Sequence, residues 1–133
     1  MNYGGNLVPS EIIKNEISSA KWDLIGIGGL TTTYARMSQL IPFLRKYCPD
    51  STIIAGGGWV TYNPEDILQL VPQIDLIAIG EGEETFSEVY DEIENGNPDF
   101  NKIKGLCINE NGSTKYTEPR ALIADLDTIP YPH

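Results

Sequence analysis

Apolar and polar residues alternate in two rhythms along the first hundred positions. Three short stretches, Asp23-Leu24-Ile25-Gly26-Ile27-Gly28, Ser51 to Ala55 and Asp75-Leu76-Ile77-Ala78-Ile79-Gly80, are almost uninterrupted apolar runs. Such runs suit strands buried on both faces of a sheet. The segments around them carry helical spacing. Ser10 is placed to cap a helix with Ile12, Ile13, Ile17 and Ala20 on one face. Tyr34, Met37, Leu40, Ile41 and Leu44 mark a second helix that stops near Pro49. Asn63-Pro64-Glu65-Asp66 supplies a capping side chain, a proline at the first helical position and acids over the positive helix end. That third helix reaches about Val71. A fourth turns Phe86, Val89, Tyr90 and Ile93 inward, with Gly96 just past its end. Beyond Asn97 the rhythm changes. Gly105 to Ile108 and Thr114 to Thr117 flank Asn111-Gly112, a strong hairpin signal. Ile123 to His133 reads as an extended connector.

Strands alternating with helices predict an α/β fold, a Rossmann- or flavodoxin-like doubly wound parallel sheet joined by right-handed crossovers. Ligands of such sheets bind beyond the carboxyl ends of the strands. Here those ends are Gly28-Gly29-Leu30-Thr31-Thr32-Thr33, Gly56-Gly57-Gly58-Trp59 and Gly80-Glu81-Gly82-Glu83. Three glycine-rich loops on one edge point to a large ligand lying flat against backbone. The threonine run allows two readings: a phosphate cradle of the kind that holds flavin mononucleotide, or the cap of the following helix. Trp59 either covers a flat ligand or plugs the core. Glu83 and Glu84 suit the first turn of a helix. Glu81, between two glycines, leaves acid–base or cation chemistry open.

Composition narrows the function. Nine basic against nineteen acidic residues give a net charge of −10 in a chain of 133 residues, which argues against nucleic acid or an anionic membrane as the main partner. No apolar run approaches the ~20 residues of a membrane helix, so a cytoplasmic protein without membrane insertion is expected. Cys48 and Cys107 stand far apart, in no ligand spacing, and are expected to be isolated thiols. A dinucleotide fingerprint fails because its sixth position is Thr31 counted from Gly26 and Thr85 counted from Gly80. The sole histidine is His133, so no catalytic triad and no metal site is expected.

Together the loops resemble the cobalamin-binding domain of radical SAM proteins, particularly the anaerobic magnesium-protoporphyrin IX monomethyl ester oxidative cyclase group. The resemblance rests on four ordered blocks: Asp23 to Thr33 with Tyr34; Gly56, Gly57, Thr61, Pro64 and Glu65; Gly80 to Glu83 with Thr85; and Lys104-Gly105-Leu106 followed by Asp125-Leu126-Asp127-Thr128-Ile129-Pro130. It implies a corrin ring across the strand ends and a nucleotide tail reaching down between sheet and helices. On that reading Gly28, Gly29, Leu30, Thr31, Thr32, Thr33, Gly56, Gly57, Gly58, Trp59, Gly80, Glu81, Gly82 and Glu83 bind the cofactor. Departures are visible. Gly28 replaces the group's usual serine, Trp59 stands where many relatives carry histidine, and two N-terminal strands of the usual domain have no counterpart. Residues 1–100 are therefore expected to form a partial cobalamin-binding domain, and 101–133 a hairpin and linker toward a radical SAM domain. The resemblance implies no catalysis by this chain alone. The iron–sulfur cluster and S-adenosylmethionine would belong to the parent's other domain, in a cyclase, oxidoreductase or methyltransferase acting on a tetrapyrrole or another hydrophobic substrate. An exposed edge on the Leu24–Ile27 strand implies self-association. A flavin module and a non-binding interaction domain are the competing readings.

Overall fold

A computed structural model of the chain describes residues 11–125, 127 and 129. Helix α1 (Glu11–Ser18) leads to strand β1 (Leu24–Gly28), then α2 (Tyr34–Tyr47), β2 (Thr52–Gly56), α3 (Pro64–Leu70), β3 (Leu76–Ala78), α4 (Glu83–Glu94), β4 (Leu106–Glu110) and β5 (Ser113–Tyr116). One sheet holds all five strands in the order β1-β2-β3-β4-β5. β1, β2 and β3 run parallel, in a register that sets Gly28 beside Gly56 and Ala55 beside Ile77. β4 and β5 are antiparallel, so the sheet is mixed and the hairpin extends it.

Side chains alternate across each strand, and the two faces fill separately. Ile25, Ile27, Ile53, Ala55, Ile77 and Cys107 pack against Ile41 and Leu44 of α2 and Ile67 and Leu68 of α3. Leu24, Ile54, Leu76, Ala78, Leu106 and Ile108 pack against Val89 and Ile93 of α4. Strands taken in order with crossovers of one hand put α2 and α3 on the same face, which leaves the other face to α4.

Polar contacts fix the strand entrances. Arg45, near the end of α2, donates to the carbonyls of Pro49, Ser51 and Gln73 and to the Asp75 carboxylate at 2.5 Å. Asp75 Oδ2 also accepts the Ile53 N–H at 2.7 Å. The hairpin turns through Asn111 and Gly112 at φ 55° and 92°, both positive as a type I′ turn requires. Asn109 donates to the carbonyls of Pro72 and Ile74, which ties the hairpin to the α3–β3 loop.

Several expectations are corrected. Asn63 precedes α3, but its side chain makes no capping bond; Pro64 and the first-turn acids Glu65 and Asp66 mark the start. Ile13 and Ala20 are exposed rather than inward, and Ala20 lies beyond α1. On α4, Phe86 and Tyr90 are exposed while Thr85 is buried with Val89. For Phe86 the reason is what lies beneath: its ring meets Gly26, which offers no side chain to pack on. Ser10 and His133 lie outside the described residues. Among the described residues no helix is long and apolar enough to cross a membrane.

Candidate functional site

The α4 face of the sheet carries an unusual run of small residues. Gly26 and Gly28 of β1, Gly56 of β2 and Ala78 of β3 project to the same side, because each lies two positions or one register step from the next. They floor a cleft of about 500 Å3, roofed by Gly82, Glu83 and Phe86 at the start of α4. That volume lies in the range of small-molecule sites. The glycines act differently within it. A Cβ on Gly26 would stand 2.8 Å from the Phe86 ring, so glycine there lets the ring lie against the strand. A Cβ on Gly28 would meet nothing within 4 Å, and one on Gly56 would meet only the Ala78 methyl at 3.8 Å. These two positions leave open space.

The first two loops brace each other. Gly57 has φ +88°, and a Cβ there would stand 2.4 Å from the Gly29 carbonyl oxygen. Gly29 is confined by a side chain instead: its Cβ would fall 2.4 Å from Thr33 Oγ1. Thr31 donates its hydroxyl to the Gly58 carbonyl at 3.3 Å, and Thr33 donates to Leu30 at 2.6 Å. Residues 31–33 form one 3-10 turn, and Thr33 precedes α2 without a side-chain capping bond. Both hydroxyl hydrogens are thus engaged by loop carbonyls, which weakens the phosphate-cradle reading and removes the capping one. Thr32 and Leu30 are exposed at the tip.

Trp59 is 5% exposed and packs in the α2–α3 core, its ring 6.3 Å from that of Tyr34. It plugs the core and does not line the cleft. Its indole Nε1 is buried without a hydrogen-bond acceptor. In the third loop Gly80 has φ +79°. Glu81 accepts the Ile123 N–H at 2.6 Å, and Glu84 pairs with Arg120 at 2.8 Å, so these carboxylates hold the C-terminal segment. Glu83 stays exposed at the cleft mouth, in the first turn of α4.

The structure therefore brings Gly28, Gly56, Gly57, Gly82 and Glu83 to one cleft and sets Trp59 and Glu81 to other tasks. Gly26, Ala78 and Phe86 also belong to the cleft and escaped the sequence reading. One signal for Gly26 was present, since a period of two already places it on the face of Gly28.

The B12 binding domain family matches residues 2–90 of the chain. The anaerobic magnesium-protoporphyrin IX monomethyl ester cyclase of Synechocystis sp. is 37% identical over 124 residues, covering 92% of this chain and 25% of that protein. An uncharacterized methyltransferase of Pyrococcus horikoshii is 33% identical over 110 residues, 83% of this chain and 24% of that protein. The chain thus spans about a quarter of the length of these curated relatives. Among solved structures, the radical S-adenosylmethionine methyltransferase TsrM from Kitasatospora setae, determined with cobalamin and a 4Fe-4S cluster bound, superposes with a TM-score of 0.74 at 18% identity, over 90% of this chain and 22% of its own. The cobalamin-dependent radical enzyme OxsB superposes with a TM-score of 0.61 at 21% identity, over 84% of this chain and 16% of its own. These structures share the fold. With the family match running through β1, β2, β3 and most of α4, the chain belongs to the B12-binding domain family.

Proposed function

We propose that this chain holds cobalamin, receiving its nucleotide tail in the cleft between β1, β2 and α4 and carrying the corrin ring across the strand-end loops. The observation that carries this reading is the glycine floor. Gly28 and Gly56 sit side by side in register and leave open space where any side chain would project. A flat heteroaromatic ring suits such a floor, with Phe86 as an apolar wall and Glu83 at the mouth. Leu30, Thr32 and Gly58 stand at the loop tips, where the larger ring would rest. The chain's own residues exclude water from the tail and fix the ring's orientation. When bound, cobalamin supplies a redox-active, alkyl-carrying cobalt to a neighbouring domain. We assign that domain to a radical SAM unit of a cytoplasmic parent enzyme, a cyclase or methyltransferase acting on a tetrapyrrole or another hydrophobic substrate. A second copy of this chain, paired along the exposed edge of β1, is the other partner in this reading.

Titration with hydroxocobalamin, followed by absorption spectroscopy and co-elution, tests the assignment. Wild-type protein is expected to bind saturably. At Gly28 a Cβ meets nothing within 4 Å, so Gly28→Leu projects from an uncrowded position into the cleft and is expected to lose binding while its thermal midpoint stays within a few degrees. A wild type that does not bind, or a Gly28→Leu variant that binds equally well, overturns the proposal. Saturable uptake of flavin mononucleotide instead would favour the flavin reading.

A further inference from the structure

Residues 117–123 run back across the start of α4 and are fastened to it twice. Arg120, whose side chain is only 11% exposed, donates from Nε to Thr85 Oγ1 at 2.9 Å and from Nη1 to Glu84 at 2.8 Å. Its Nη2 reaches the Glu88 carboxylate and the Lys104 carbonyl. Further along the same segment, the Ile123 N–H is held by Glu81 just ahead of the helix. The strap lies close against the sheet. Gly105 donates its N–H to the Glu118 carbonyl at 2.8 Å, and a Cβ on Gly105 would stand 3.1 Å from Arg120 Cβ. Helical geometry places Glu84, Thr85 and Glu88 on one side of α4, and Gly82, Glu83 and Phe86 on the other. The strap therefore grips the helix from one side while the cleft uses the opposite side of the same two turns.

We infer that Arg120 is a positioning residue, setting the height of the cleft roof by clamping the first turns of α4 and so coupling the C-terminal segment to ligand affinity. The inference deepens the cobalamin reading and rests on it for the ligand. A guanidinium serving three side chains at once fixes the helix end in place as well as in charge. Coupling of this kind is reciprocal, so occupancy of the cleft must also tighten the strap.

Arg120→Gln, Arg120→Lys and Lys115→Ala are compared in the full chain by residue-resolved hydrogen exchange and by hydroxocobalamin titration. Arg120→Gln is expected to speed exchange at Phe86 to Glu88 selectively and to raise Kd about tenfold, the usual scale of coupling between sites. Arg120→Lys, which keeps the charge without the fork, is expected to fall between. Lys115→Ala removes only an exposed ion pair to Glu110 within the hairpin and is expected to change neither reading. In the wild type, hydroxocobalamin is expected to slow exchange at Ile123. Unchanged α4 exchange in Arg120→Gln, exchange rising uniformly over the sheet, or an unchanged Kd overturns the inference while leaving the cobalamin assignment intact. Should the wild type bind no hydroxocobalamin, that assignment falls separately. The exchange data then decide alone: selective loosening of α4 supports the clamp and its absence overturns it.

Discussion

Gly28, the last residue of β1, and Gly57, just past β2, lie at one edge of the sheet, yet they do opposite things. Gly57 is where two backbones touch: its positive φ and the Gly29 carbonyl 2.4 Å from its missing Cβ leave no room for a side chain. Gly28 borders open space. Gly57→Ala is therefore expected to cost at least about 1–3 kcal/mol from backbone strain, with Gly28→Ala close to neutral. Urea unfolding measures both, and coincident midpoints would contradict the assignment. Both glycines stood out in the sequence as strand-end residues. What separated them did not, because the contact with Gly29 arises only when two loops distant in sequence fold against each other. Trp59 was undecided for the same reason. Its position after three glycines fits either role, and only the packing against Tyr34 and the α2–α3 core settles it.

At the level of elements, the three buried runs and the Asn111-Gly112 turn were legible because each carries its own local signal. The inward side of α4 was not. Its spacing joins Phe86, Val89, Tyr90 and Ile93 into one apolar stripe, but the helix buries Thr85 and Val89 and leaves Phe86 43% exposed above glycines. A stripe predicts burial only if the opposing surface has side chains to meet it. Strand β4 permits a direct test of how firmly the hairpin joins the sheet. Cys107 is fully buried there, and burial, followed by the nearby Glu65 charge, pushes its thiol pKa up. In a Cys48→Ser background, native Cys107 is expected to resist a disulfide reagent at neutral pH and to react only as the sheet opens. The folded thiol holds its proton more tightly than the unfolded one. Its stabilising contribution is therefore present below the ordinary thiol range and fades as pH rises through the raised value. Rapid labelling of native protein would mean that the hairpin opens independently of the rest.

On the scale of the whole molecule, β1 forms one margin of the sheet among the described residues, pairing with β2 alone. Unpaired strand edges invite another strand. Sedimentation across a concentration series is expected to show dimers, and β1 amides are expected to gain exchange protection as dimers form. A monomer throughout, with β1 ordered and its outer amides exchanging freely, would remove the second copy from the proposed partners. The order of the strands has a consequence in time as well as in space. Among the described residues each strand pairs with its neighbours in the chain, so none of these strands must wait for a distant one before it can be incorporated. Pairing between neighbours in the chain keeps the entropy cost of loop closure low. Among the described residues, β3 and then the hairpin can join a β1–β2 pair without the chain returning to an earlier strand.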